Sequence, residues 1–192
     1  MVFKAKRRTV VTTAAGVFVL LVAALVVTVF TRGNSSSASD DNMVVYPVGH
    51  RAAAPDFTGT SLTGTPIKFS SYRGKIVVLN VWGSWCAACE AEGQTLKYLD
   101  EEYAPRGIAF LGDDLQDTPT QALAFLRGVG ITYPSVNDAT GAVEERLAIA
   151  VPISATPTTL VIDKTGHVAG VIDGAVTYPE MTTLLNDAAV TQ

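Results

Sequence analysis

Apolar positions in this chain form one long unbroken run followed by short runs at two different spacings. From Thr9 to Thr31 no charge interrupts a stretch dominated by Val, Leu, Ala and Phe. A bilayer core takes about 20 such residues, so the pattern predicts a membrane-spanning helix over 9–31. Further on, Ile76 to Trp82 is apolar everywhere except Asn80, the pattern of a strand buried on both faces. Ala87 to Tyr103 carries Leu96, Leu99 and Tyr103 at helical spacing and is ended by Pro105 and Gly107. Ile108 to Leu111 predicts a second strand. Thr118, with Pro119 behind it, opens a helix running to Val129. Pro134 to Val136 reads as a short extended piece, and Ala142 to Ile149 as another helix. Thr158 to Ile162 and Val168 to Ile172 flank the turn Asp163-Lys164-Thr165-Gly166, a hairpin signal. A capping box, Thr177 to Glu180, starts a last helix through Leu184 and Leu185. Upstream, Thr63-Gly64 predicts a small hairpin between Leu62 and Ile67-Lys68-Phe69. Strands alternating with helices, then a terminal hairpin and helix, imply an α/β sandwich.

At 192 residues there is room for one ordinary domain plus an appendage. The expected division is a basic cytoplasmic segment over 1–8, the anchor over 9–31, a flexible polar linker over 32–50 and a folded domain over 51–192. Lys4, Lys6, Arg7 and Arg8 precede the span and only Arg32 follows it closely, which puts the N-terminus in the cytoplasm and the domain outside. Cleavage at Ser36-Ser37-Ala38 is the alternative to an uncleaved anchor. Arg7-Arg8 matches a twin-arginine signal only weakly, and no Cys follows the span to carry lipid. From residue 33 onward nine Lys and Arg face eighteen Asp and Glu, a net of −9. That balance disfavours nucleic acid and anionic lipid surfaces as partners.

The two cysteines of the chain stand together as Trp85-Cys86-Ala87-Ala88-Cys89, directly after the apolar run that ends at Trp82. Cys-x-x-Cys at a strand-to-helix junction is a dithiol/disulfide redox centre. The first sulfur lies at a helix N-terminus, where free N–H groups and the macrodipole stabilise a thiolate. The second is one turn inside, so Cys86 is expected to be the accessible thiol and Cys89 the shielded one. A purely structural disulfide is the rival reading, although so short a loop removes little unfolded-state entropy. Haem attachment needs a His after the second Cys, and position 90 is Glu. Zinc needs about four ligands, with only His50 and His167 left to join the cysteines. A copper-chaperone centre would have three residues between the cysteines rather than two. No metal and no dissociable cofactor is therefore expected.

Three segments are informative together: Ala54-Pro55-Asp56-Phe57, the stretch Leu79-Asn80-Val81-Trp82-Gly83-Ser84-Trp85-Cys86-Ala87-Ala88-Cys89, and Ala155-Thr156-Pro157-Thr158-Thr159-Leu160-Val161-Ile162-Asp163. In this order they resemble the TlpA/ResA-type thiol-disulfide oxidoreductases, an extracytoplasmic branch of the thioredoxin superfamily. The first segment alone is shared with peroxiredoxins, but the peroxiredoxin arrangement of a Pro and a Thr or Ser shortly before a lone Cys does not precede Cys86. The resemblance implies a thioredoxin fold, a central mixed sheet flanked by helices, with an N-terminal hairpin extension behind the single transmembrane helix. It implies that Cys86 is the nucleophile and Cys89 the resolving cysteine. It implies further that Thr156-Pro157 is a cis bond whose loop, with Trp85, meets substrate.

Thioredoxin carries an Asp at the position of Asn80 as proton acceptor for the resolving cysteine, and an amide cannot take that proton. The resemblance puts the acid at the end of the next strand, within Gly112-Asp113-Asp114-Leu115-Gln116-Asp117. Asp117 falls on the family's glutamate, and Asp114 is the alternative if the loop shifts. The competing reading makes these acids a solvated loop, with Asp117 near the Thr118 cap. Glu92 matches a family acid on the helix after the cysteines, or else is a solvated helix-face charge. Ala87-Ala88 departs from the family's frequent Pro before the second Cys.

The expected function is a reductant in cytochrome c maturation. It would take electrons from a CcdA/DsbD-type membrane protein and pass them to dithiol/disulfide substrates such as apocytochrome c. A DsbA-like oxidant of secreted proteins and a non-catalytic binding module are the alternatives.

Overall fold

The computed structural model describes residues 42–190. The basic segment 1–8, the span 9–31 and most of the polar linker lie outside the described residues. Among the described residues no helix is long and apolar enough to cross a membrane.

Eight strands and four α-helices follow one another in this part of the chain. They are β1 (Met43–Val45), β2 (Thr58–Thr60), β3 (Pro66–Lys68), β4 (Val77–Trp82), α1 (Ala87–Tyr103), β5 (Ala109–Leu115), α2 (Pro119–Val129), β6 (Ser135–Asp138), α3 (Ala142–Leu147), β7 (Thr158–Ile162), β8 (Val168–Asp173) and α4 (Tyr178–Ala188). Six strands form one mixed sheet in the order β1-β8-β7-β4-β5-β6, and β2 and β3 form a separate hairpin. β4 runs parallel to β5 and antiparallel to β7. This is the thioredoxin-like α/β fold.

β4 sits between two partners with helices over both sheet faces, which is why its six residues are all buried. Val77, Leu79 and Val81 join Leu111, Leu160, Leu147 of α3 and Ile67 of the hairpin on one face. Val78 meets Leu96 and Leu99 of α1 and Met181 and Leu184 of α4 on the other. Trp82 ends the strand in a smaller cluster with Cys86, Cys89, Leu62, Ala122 and Leu126.

Two expectations change. The linker does not extend to residue 50: Met43–Val45 pairs antiparallel with β8, Met43 opposite Ile172. Arg51 then fastens this entry to the C-terminal helix. It donates to Asp163 Oδ2 at 2.9 Å and to Asp187 Oδ2 at 2.6 Å, with its side chain 1% exposed. The second change is in β5, which runs to Leu115 rather than ending at Leu111. Gly112 to Leu115 find ladder partners in β6, and Gly112 to Asp114 find them in β4 as well. Backbone pairing on both sides therefore draws Asp113 and Asp114 into the sheet, where neither has exposed surface.

Candidate active site

Cys86 is the N-cap of α1, in extended conformation, and its sulfur accepts the Cys89 N–H at 3.1 Å. The two cysteines are joined in a disulfide. Cys86 keeps 7% exposure and Cys89 2%, so in the oxidised state both sulfurs are largely covered and Cys86 only slightly less so. The polypeptide reaches this point through Gly83. A Cβ there would lie 2.5 Å from Trp85 Nε1, so the absence of a side chain lets the indole fold back. Trp85 donates from Nε1 to the Leu115 carbonyl at 3.1 Å and leaves 56% of its surface exposed beside Cys86.

The Thr156–Pro157 peptide is cis. The Thr156 carbonyl oxygen lies 3.5 Å from Cys86 Sγ, which brings the loop onto the disulfide as the motif reading expects. Pro157 is buried, and its carbonyl accepts the Gly174 N–H at 2.7 Å.

Glu92 is not a solvated helix-face charge. It is 2% exposed on α1, three residues past Cys89. Asn80 Nδ2 donates to Glu92 Oε1 at 2.9 Å and to Thr159 Oγ1 at 3.0 Å, and the Val176 N–H donates to Glu92 Oε2 at 2.8 Å. Burial pushes the Glu92 carboxyl up, and the bonds from Val176 and Asn80 pull it partly back, leaving it at about 7. Asn80 was the visible signal: a lone amide in an apolar strand demands a polar partner, and that partner is Glu92.

The three acids after Leu111 separate. Asp117 is half-buried in a loop, where its Oδ2 accepts the Ser84 N–H at 2.8 Å and its Oδ1 the Thr118 N–H at 2.6 Å. It braces the turn that leads into the cysteines. Asp114 pairs in register with Trp82 and so shares the sheet face that carries the cysteine cluster. Both of its carboxylate oxygens lack a hydrogen-bond partner. Burial, then the charges of Asp117 and Asp138, raise it to about 7. Asp113 points to the opposite face, equally unpartnered, and is raised to about 8 by burial and then by Asp138, Asp114 and Glu144. The solvated-loop reading therefore fails for Asp113 and Asp114, since the sheet continues through them. Motif reasoning passed over Asp113 because it took the strand to stop two residues earlier.

Chemically, this is a closed two-electron dithiol centre with an exposed aromatic on one side and a cis-proline loop on the other. Two buried carboxyls, Glu92 on α1 and Asp114 on β5, are raised to about 7, chiefly by burial. Among the described residues no group of three His, Cys, Asp or Glu is arranged to hold a metal; the redox group is the cysteine pair.

Comparison with known proteins agrees with this geometry. The AhpC/TSA family model matches residues 50–171. The thiol-disulfide oxidoreductase ResA of Geobacillus kaustophilus is 34% identical over 130 residues, covering 68% of this chain and 72% of its own. The ResA of Oceanobacillus iheyensis is 31% identical, covering 77% of this chain and 76% of its own. Among solved structures, a secreted thiol-disulfide isomerase from Corynebacterium glutamicum superposes with a TM-score of 0.72 at 32% identity, covering 80% of this chain and 96% of that one. A DsbF homologue from Corynebacterium diphtheriae gives 0.70 at 33%, covering 78% and 95%. With its disulfide at the helix start facing a cis-proline loop, the chain belongs to the AhpC/TSA family and, within it, is a ResA-like thiol-disulfide oxidoreductase.

Proposed function

We propose that this oxidoreductase is a membrane-anchored reductant, held by residues 9–31 with its domain outside the cytoplasm. It would serve in cytochrome c maturation, drawing electrons from a CcdA/DsbD-type membrane protein and reducing the paired cysteines of apocytochrome c. The charge-free run behind four basic residues supports the anchor and its orientation. The cytochrome route rests on the ResA-type resemblance.

The observation that carries the mechanism is the Cys86–Cys89 pair at the start of α1, 3.5 Å from the Thr156 carbonyl. In the reduced protein the Cys86 thiolate, held by the Cys89 N–H and the helix terminus, attacks one sulfur of a substrate disulfide. A mixed disulfide forms, and the displaced substrate sulfur takes up a proton. Trp85, Thr156 and Pro157 present the surface on which the substrate chain lies. Cys89 then loses its proton to a buried carboxylate and attacks Cys86 Sγ, breaking the mixed disulfide, and the second substrate sulfur leaves as a thiolate that takes up a proton in turn. Two electrons and two protons have moved, and the Cys86–Cys89 disulfide awaits its donor. Glu92 and Asp114, each raised to about 7, are matched to that proton transfer near neutrality. Asp117, tied to Ser84, supports the loop instead.

A second reading is an oxidant of secreted proteins or a disulfide isomerase, the latter in line with the Corynebacterium glutamicum neighbour, a secreted thiol-disulfide isomerase. The redox state of the pair in growing cells, trapped by acid quench and alkylation, separates the two. A mostly reduced pair and a potential nearer the thioredoxin value of about −270 mV than the DsbA value of about −120 mV are expected. A mostly oxidised pair would transfer the assignment to the second reading.

A further inference from the structure

We propose that Asp173 is a positioning residue for substrate: its carboxylate staples Ser154 to Thr158 and so fixes the Thr156–Pro157 edge over Cys86. The inference rests on the reading of that loop as the substrate contact.

Asp173 is the last residue of β8 and lies opposite Thr158, the first of β7. Its Oδ2 accepts from Ser154 Oγ at 2.5 Å, and its Oδ1 lies 2.7 Å from Thr158 Oγ1, whose one proton is shared between Asp173 and the Ala155 carbonyl, also at 2.7 Å. The two hydroxyls stand four positions apart and bracket Ala155, Thr156 and Pro157. Next door, the Gly174 N–H holds the Pro157 carbonyl at 2.7 Å. One carboxylate therefore ties both ends of a five-residue loop while the adjacent peptide ties its middle. The untied group at the centre is the Thr156 carbonyl, the one beside Cys86 Sγ.

The loop needs such a tie. Ten residues separate α3 from β7, and Pro152, Ser154 and Ala155 among them are exposed. Val151 and Ile153 reach the core, but nothing apolar holds the segment from 154 to 156. Hydroxyl donors to a carboxylate form short, charge-assisted bonds, roughly twice as strong as neutral ones. The acid is not spent on an ion pair, since among the described residues no Lys or Arg bridges it. Its own N–H donates to the Asn42 carbonyl, so the staple is mounted at the end of an interior strand of the sheet rather than on another loop. Holding a recognition edge in its bound conformation lowers the ordering cost of binding. Its loss therefore appears in KM for a polypeptide substrate.

The test uses the full chain in mild detergent. Turnover of a protein disulfide (insulin, with dithiothreitol as reductant) is compared with the reaction of the reduced protein with the small aromatic disulfide 5,5′-dithiobis(2-nitrobenzoate). Asp173→Ala should lower kcat/KM for insulin about tenfold, mainly through KM. It should leave the small-disulfide rate and the pH profile of Cys86 alkylation unchanged. Asp173→Asn, which keeps one carbonyl acceptor, should recover part of the loss, and Ser154→Ala should add nothing to Asp173→Ala. A wild-type kcat/KM in Asp173→Ala overturns the staple. So does an equal fall for both substrates, or a shifted alkylation profile, which would mean that Asp173 acts on the thiolate through its charge. Pro157→Ala serves as the reference. If it too leaves insulin turnover intact, the loop is not the substrate contact; if it alone impairs turnover, only the staple is wrong.

Discussion

Asp113 has no exposed surface and no partner for either carboxylate oxygen, and burial with three neighbouring acids raises it to about 8. In an unfolded chain an Asp titrates near 3.9. Between those values the folded protein holds a proton that the unfolded chain has released. Stability therefore falls as pH rises through that window and levels off above it. Each pH unit is worth about 1.4 kcal/mol, so between pH 5 and pH 8 Asp113 alone removes about 4 kcal/mol. A typical domain has about 5–15 kcal/mol in total. Asp113→Asn is nearly isosteric, cannot ionise, and exchanges one neutral unpartnered group for another. Urea unfolding of the chain in mild detergent, followed by Trp82 and Trp85 fluorescence, should place variant and wild type within about 2 kcal/mol at pH 5. At pH 8 the variant's advantage should exceed its advantage at pH 5 by several kcal/mol, with about 4 as the ceiling on that increase. Glu92 and Asp114 tilt both proteins alike, so the informative quantity is the difference between the two. An equal difference at both pH values would mean that Asp113 ionises freely in the folded state.

The remaining predictions are shorter. Glu92→Gln and Asp114→Asn should each slow disulfide exchange about 10- to 100-fold and alter its pH profile near 7, as read by stopped-flow; Asp117→Asn should leave the profile in place. Cys89→Ser should accumulate mixed disulfides through Cys86, and mass spectrometry of the trapped species would name the substrates; a trap through no partner would count against the assigned roles. Arg51→Leu leaves Asp163 buried without its cation and should cost on the order of 3 kcal/mol in unfolding free energy. Alkaline carbonate should leave the full-length chain in the membrane fraction, and its release would count against the anchor over 9–31.

Local pattern was enough to place most elements and the redox centre. Helix α1 was bounded at Ala87 and Tyr103 because its cap, apolar spacing and Pro105-Gly107 stop are all local signals. The Thr118 and Thr177 caps and the turn before Val168 were legible for the same reason. Cys86 and Cys89 stood out because a dithiol centre requires those residue types at that spacing, and Pro157 stood out through the family resemblance of its segment. What escaped the chain's local pattern was set by partners far away in sequence. Asp113 and Asp114 look like loop acids until β6, more than twenty residues on, supplies their ladder. Glu92 looks solvated until α1 lies on β4 and Asn80 and Val176 close over it. Met43–Val45 looks like tether until β8 offers an edge. Burial of a charge is a property of what packs against it, and spacing along the chain does not carry that information.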